Sequence, residues 1–164
     1  MKKIILFAMM AIIVAACGNN KEQMKKNAEE NLRMTISGAQ NLQILQISEP
    51  DSAFGVNYFT DKELQDFVNI MAKCSDIIMK ETDNMEKFDP ENLYVIKLAD
   101  RQMQATTELR NIFSNRNKEP FSGWKMKIDY SYTDSEKTPI KAERWFFFDR
   151  KGQSIYKTME IPLP

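Results

Sequence analysis

The last third of the chain carries a side-chain pattern that few folds can accommodate. From Trp124 to Tyr132, large apolar side chains alternate with polar ones, and this period of two is typical of a strand with one buried face. Two more strands are predicted, from Ile140 to Phe148 and from Ile155 to Ile161. Between them, Asp149–Gly152 forms a tight turn, because glycine accepts a positive φ. Strands joined by such short turns pair antiparallel, so the pattern predicts a three-stranded meander.

Three helices are predicted before the meander, from apolar residues that recur at intervals of three and four. The first has Asn20 as its cap and runs to about Ile36, with Gly38 as its stop signal. The second follows a capping box at Thr60–Glu63 and runs to about Lys80. For the third, Asp89 is the predicted N-cap and Pro90 the first helical residue, and the helix continues to about Asn115.

Two further strands are predicted between the first two helices, at Leu42–Ile47 and Phe54–Phe59, with a turn at Glu49–Ser52. Helices of this length need a sheet face against which to bury their apolar side. We therefore expect an α+β fold, in which an antiparallel sheet of four or five strands packs on two or three helices. The order of elements resembles the cone-shaped cystatin-like and nuclear-transport-factor-like folds. Folds of this kind host many functions, so the resemblance implies none in particular.

The N-terminus has the layout of an export signal. Two lysines, Lys2 and Lys3, precede an apolar run from Ile4 to Ala16, which is shorter than the ~20 residues of a spanning helix. The segment Val14–Cys17 resembles the bacterial lipobox, in which small residues precede a cysteine that takes a diacylglycerol and becomes the new N-terminus. The resemblance implies a signal peptide at residues 1–16 and a lipidated Cys17. Residues 17–20 then form a short tether, and the length of the remaining chain predicts a single domain at 21–164.

The same resemblance implies a location. Acyl chains such as palmitate on Cys17 hold a protein stably on a membrane when two or more are present. Gly18 stands where an Asp would retain a lipoprotein at the inner membrane in some bacteria, and this favours the outer membrane. The membrane is therefore the first expected partner, through the lipid.

Composition excludes several classes of function. The chain has 23 basic and 23 acidic residues, whereas a nucleic-acid partner normally requires a basic face. It contains no histidine, which removes histidine triads and histidine-ligated metals. Once Cys17 is lipidated, Cys74 is the remaining thiol, and its place on the apolar side of a helix predicts a buried hydrophobe. We expect no cofactor and no metal site.

The last two strands carry aromatic side chains on both faces. If Asp149 pairs with Gln153, one face contains Trp145, Phe147, Ile155 and Met159, and the other contains Arg144, Phe146, Phe148, Tyr156 and Glu160. A one-residue slip would exchange these groupings on one strand. Either the second face binds a ligand or partner, or the strand is buried on both sides. The candidate ligand or partner residues are Trp124, Tyr130, Trp145, Phe147 and Tyr156.

The sequence suggests two other kinds of site, a catalytic carboxylate site and a glycosylation site. Asp129, Glu143 and Glu160 lie on predicted strands near Arg144, but no nucleophile–base pair accompanies them, so an enzyme is not expected. Asp51-Ser52-Ala53 resembles an O-glycosylation acceptor of exported proteins and lies in a predicted turn, so Ser52 is a candidate modification site.

The expected function is an envelope module that binds or assists other proteins without catalysis. The alternatives are a small-ligand carrier or sensor with an apolar pocket, and an enzyme of unrecognised type.

Overall fold

The computed structural model describes residues 20–55, 59–115 and 121–164. Within these residues, three helices pack on one antiparallel sheet of five strands. The helices are α1 (20–35), α2 (Asp61–Glu81) and α3 (Leu93–Asn115). The strands are β1 (Gln40–Ile47), β2 (Asp51–Gly55), β3 (Phe121–Thr133), β4 (Pro139–Phe148) and β5 (Ile155–Pro162). The predicted α+β class is confirmed, including the C-terminal meander.

The strands follow the order β1-β3-β4-β5, and β2 also pairs with β3. The two short strands share one side of β3, since Ile47 of β1 lies opposite Ile128 and Asp51 of β2 lies opposite Lys125. β1 is irregular: its register shifts twice along β3, and Asn41 has a φ of 55°. β3, β4 and β5 are joined in sequence by turns, as the period of two predicts.

Strand β4 is buried on both faces, so the second of the two predicted arrangements is confirmed. On one face, Phe146 and Phe148 pack with Met24, Ala28 and Leu32 of α1. On the other face, a cluster beneath α2 and α3 contains Trp145, Phe147, Phe67, Ala105, Ile112, Met159 and Ile161. The sheet is therefore the middle layer of three, with α1 on one side and the α2–α3 pair on the other.

The predicted pairing of Asp149 with Gln153 is wrong, whereas the predicted grouping of Trp145 and Phe147 with Met159 on one face is confirmed. Trp145 lies opposite Met159, and a bulge after Phe147 brings Ile155 opposite Phe148. Ile155 consequently packs on the α1 side of the sheet and not beside Trp145. The cause is a longer turn, in which the Asp149 carboxylate accepts hydrogen bonds from the backbone N–H groups of residues 153 and 154.

The turn after β4 also requires a glycine. Gly152 has a φ of +68°, as predicted, in a region that glycine enters without strain. A Cβ at this position would lie 2.8 Å from the Met24 sulfur of α1. Gly152 therefore allows the turn to pack closely against the first helix.

Other boundaries differ from the prediction by a few residues. α3 begins at Leu93, because the Asn92 side chain accepts the Val95 N–H at 3.3 Å, while the carboxylate of Asp89 closes a separate turn before the helix. Part of the predicted Glu49–Ser52 turn is strand, since β2 begins at Asp51. The predicted strand to Phe59 extends over residues 56–58, which lie outside the described residues. The capping box at Thr60 is present as predicted.

The domain has two ends, which are separated by the length of β4. At the proximal end, the Asn20 amide donates a hydrogen bond to the carbonyl oxygen of Lys151 in the β4–β5 turn at 3.0 Å. At the distal end, Lys97 of α3 forms ion pairs with Asp134 and Glu136 in the β3–β4 turn. Ten residues of β4 span about 30 Å between these ends. Residue 20, the last residue of the predicted lipid tether, is therefore at the proximal end.

The predicted signal peptide, Cys17 and the first residues of the tether lie outside the described residues. In residues 20–55, 59–115 and 121–164, no helix has the length and apolar composition that crossing a membrane requires.

Candidate functional site

The five aromatic residues proposed from the sequence do not form one surface. Trp145 and Phe147 are buried beneath α2 and α3, whereas Tyr130 is buried in the cluster beneath α1. Trp124 is half-buried at the proximal end, where its indole N–H donates to the Arg150 carbonyl at 3.3 Å. Tyr156 is 63% exposed on β5. The structure brings Trp145 and Phe147 together and separates the other three.

A groove at the distal end has a volume of about 550 Å³. It lies between the first turns of α3, the end of β3 and the start of β4. The start of β1 and the C-terminal residues complete its walls. Its walls include Tyr94, Leu98, Arg101, Tyr132, Ile140 and Leu163. This volume is in the range of ligand pockets, and a mixture of aromatic and aliphatic walls with a few charged groups, here Arg101 and Lys141, is typical of them. We call this cavity the distal groove.

Arg101 belongs to an ionic network that borders the distal groove. Its guanidinium donates to Glu160 Oε1 at 2.8 Å, and Tyr130 donates its hydroxyl proton to Glu160 Oε2 at 2.5 Å. Arg101 also donates to the carbonyl of Lys141 at 3.3 Å, and the Tyr130 ring stacks on Tyr132. Glu160 is thereby held between α3 and β3.

The network fixes the protonation of its members. Burial alone would raise the pKa of Glu160, but the charge and hydrogen bonds of Arg101, together with the Tyr130 hydroxyl, hold that pKa below its ordinary value. Burial, and then the charge of Glu160, raise the pKa of Tyr130 far above its ordinary value. Glu160 is therefore ionised and Tyr130 protonated at neutral pH, and the pair is suited to holding structure and not to proton transfer.

We expect Glu160→Gln to destabilise the domain by about 2 kcal/mol at pH 7, because charged hydrogen bonds of this kind are replaced by neutral ones. Since the native pKa of Glu160 is lowered, its stabilising contribution is complete above the unfolded pKa and is lost as the pH falls through the native pKa. The difference between wild type and variant should therefore shrink below about pH 4. Urea unfolding between pH 3 and pH 7 measures it. A difference that does not depend on pH contradicts the expectation, and Glu86→Gln, at an exposed position, is the control.

A second ionic cluster lies on the opposite face of the sheet. Glu143, only 2% exposed, accepts the Trp145 indole N–H at 2.8 Å and a Lys127 ammonium hydrogen at 2.5 Å. Lys125 pairs with Glu63, and its ammonium lies over the Trp145 ring. Burial would lower the pKa of Lys127, but the hydrogen bond and charge of Glu143 raise it. Lys127 is therefore cationic and is not a neutral amine nucleophile.

The carboxylates considered from the sequence lie on two faces. Asp129 and Glu143 share Lys127 beneath α2, whereas Glu160 is bound by Arg101 on the other side. Among the residues that the structure describes, no group of three or more acidic or cysteine side chains could hold a metal ion. The three carboxylates do not face one another across a cleft.

Cys74 and Ser52 have opposite environments. Cys74 is fully buried between α2 and α3, as predicted, and burial raises the pKa of its thiol. Ser52 is exposed, but it lies in strand β2 opposite Trp124 and not in the predicted turn. Its side chain is accessible, and its glycosylation remains a prediction.

Sequence reasoning missed the charged residues of α3. Arg101 and Glu108 alternate with Leu98, Ala105 and Ile112 at intervals of three and four. They therefore occupy the helix side that faces the sheet, where charged residues are rare unless they are paired. Because these two charged residues interrupt an apolar stripe, the stripe itself was a local signal that could have identified them. The distal groove had no such signal, because distant segments form it.

Comparisons with protein families, curated proteins and solved structures find no match for this chain. By its geometry the fold is an α+β domain with a three-layer arrangement. The features that bear on function are the two ends of the domain and the cavities between its elements.

Proposed function

We propose that this chain is a lipid-anchored, non-catalytic binding module of the bacterial cell envelope that engages a protein partner through the distal groove. The lipobox-like segment Val14–Cys17 supports the anchor and, with Gly18, an outer-membrane location. The observation that carries the proposal is the position of the groove at the end opposite residue 20. A domain tethered at the proximal end presents this groove about 30 Å from the attachment point.

Exposed apolar side chains in the loop before α3 support a protein partner. Met85 and Phe88, in the loop between α2 and α3, are 63% and 65% exposed. This loop leads directly into the first turn of α3, which forms a wall of the groove. Large exposed apolar side chains in a loop that leads to a groove wall favour a surface that binds other proteins.

A second candidate function is the binding of a small apolar ligand. The volume of about 550 Å³ favours it, since this is the size of sites that enclose small molecules. In this case the module is a carrier or sensor, and the groove encloses the ligand without a protein partner.

Site-specific photocrosslinking in cells tests the proposal. A photoreactive residue at Lys141, whose side chain is exposed at the groove, should yield a crosslink to one envelope protein. The same residue at Met34, 69% exposed on α1, is the matched control and should yield none. Crosslinks that are equal at both positions overturn the partner proposal. A small-molecule adduct on the Lys141 variant, with no protein, would favour the carrier function.

The anchor is tested separately, by fractionation and intact mass. Wild-type protein should be recovered with outer membranes and should carry the mass of lipid on Cys17, whereas Cys17→Ala should not. Soluble, unmodified wild-type protein would overturn the anchored location. The same spectrum tests the Ser52 prediction, because a glycan adds a mass that Ser52→Ala removes.

A further inference from the structure

A smaller cavity, of about 170 Å³, lies between α3 and the strands β4 and β5. Four charged side chains line it: Arg101 and Glu108 from α3, Arg144 from β4 and Glu160 from β5. We call it the α3 cavity. It is separate from the distal groove in its lining, apart from Arg101, and the inference below does not depend on the proposed partner.

The four charges fall into one satisfied pair and two unsatisfied groups. Arg101 and Glu160 bind each other at 2.8 Å. Arg144 Nε and Nη1 and Glu108 Oε2 are buried atoms, and no group among the described residues forms a hydrogen bond with any of them. Buried polar atoms are almost always hydrogen-bonded, and buried charges are normally paired. One cation and one anion in the same cavity therefore have unused bonding capacity.

Keeping Glu108 in this position is costly to the fold. Burial raises the pKa of Glu108, and the nearby charges of Lys157 and Arg144 only partly offset that effect. Arginine cannot lose its proton in proteins, so Arg144 remains charged. Groups retained at a cost to stability are expected at functional sites.

The pattern of charge defines the chemistry of a ligand. The two arginines and two glutamates of the lining balance, and Lys157 acts on Glu108 from outside the lining, so a ligand with a net charge would leave the lining unbalanced. A ligand with both charges would give an acceptor to Arg144 and a donor to Glu108. The cavity has room for about five or six water-sized groups, since each water occupies ~30 Å³. A short-chain α-amino acid has this number of heavy atoms.

We infer that the α3 cavity binds a small zwitterion, a free α-amino acid with a short side chain. Its carboxylate accepts hydrogen bonds from Arg144, and its ammonium group donates to Glu108. The Arg101–Glu160 pair forms the remaining polar wall, and Thr158 lies at the same cavity. Charge-assisted hydrogen bonds at both ends of the ligand select for a molecule that has both charges.

Calorimetric titration of the membrane-purified protein in detergent tests the inference. Glycine, L-alanine and L-serine are the probes, and acetate and methylammonium, alone and together, are the half-ligands. We expect at least one amino acid to bind, and neither half-ligand to bind alone at the same concentration. Binding of acetate as strong as that of the amino acids overturns the inference, because it would define a simple anion site. The absence of binding for all three amino acids up to about 10 mM also overturns it.

Two substitutions test which residue binds each end of the ligand. Arg144→Met and Glu108→Gln should each weaken binding by at least tenfold, because each removes a charge-assisted hydrogen bond. Arg110→Met, at an exposed position of α3, is the matched control and should bind as wild type does. If Arg144→Met does not fold, Glu108→Gln still tests the inference, since it removes a buried charge and keeps the shape of the side chain. Wild-type affinity in a folded Glu108→Gln variant overturns the inference. Photocrosslinking at Lys141 is a separate readout, so the partner proposal can fail independently.

Discussion

Phe147→Ala should lower the free energy of unfolding by about 3–5 kcal/mol, as expected for a large aromatic side chain lost from a packed core. Its ring is fully buried, and it lies 5.7 Å from the Phe59 ring in the cluster beneath α2 and α3. Because β4 is the central strand of the meander, the surrounding helices cannot easily collapse into the cavity that the substitution leaves. Urea or thermal unfolding followed by circular dichroism measures the loss.

Two further phenylalanines complete this experiment. Phe146→Ala removes an equally buried ring from the opposite face, beneath α1, and should have a similar effect. Phe88→Ala is the control, because the same atoms are lost from a ring that is 65% exposed. A loss below about 1 kcal/mol for either buried phenylalanine would contradict burial of β4 on that face.

Glu143→Ala should destabilise the domain by about 3 kcal/mol, because it leaves the Lys127 ammonium and the Trp145 indole N–H without their shared acceptor. The effect is placed at the lower end of the range for broken buried pairs, since the Lys127 side chain is 29% exposed and water can reach it. Urea unfolding at pH 7 measures it. A loss within 0.5 kcal/mol of zero would show that the pair does not stabilise the fold.

Two further variants distinguish the contribution of the ion pair to stability from the contribution of packing. In the double variant Glu143→Leu with Lys127→Met, both partners leave, and only part of the lost stability should return, because Asp129 loses its Lys127 partner and the Trp145 indole N–H still lacks an acceptor. Glu30→Ala breaks the Lys26–Glu30 pair, in which both side chains are more than half exposed, and should change stability by less than about 0.5 kcal/mol.

The sequence allows most of the fold to be predicted, because side-chain periodicity is a local property. The alternation in β3, the apolar stripe of α2 and the capping box at Thr60 each depend on a few neighbouring residues. The pairing of Asp149 with Gln153 was predicted incorrectly because the Asp149 side chain stabilises a longer turn followed by a bulge. Those details depend on side-chain hydrogen bonds that periodicity does not report.

The candidate sites were harder to predict, because they combine distant segments. The distal groove places Gln43 of β1 with Tyr94 of α3 and Leu163 after β5, and no local pattern links them. The aromatic residues that marked β4 as functional are instead its core. Arg101 and Glu108 did leave a local signal, as charged residues on the apolar side of α3. That signal identifies the helix side but not the partner of each charge.

The irregular first strand has a consequence for molecules that share a bilayer. Lipid anchoring, as proposed, would concentrate copies of the domain in two dimensions, where unpaired sheet edges are a hazard. β5, at one edge of the described sheet, is covered by α3. The other edge is shared by β2, which has only five residues, and β1, which is bent by two register shifts and by the positive φ of Asn41. A strand bent in this way offers no straight row of N–H and C=O groups to a second strand. Crowding on the membrane should therefore leave neighbouring copies separate, and not join their sheets into fibres.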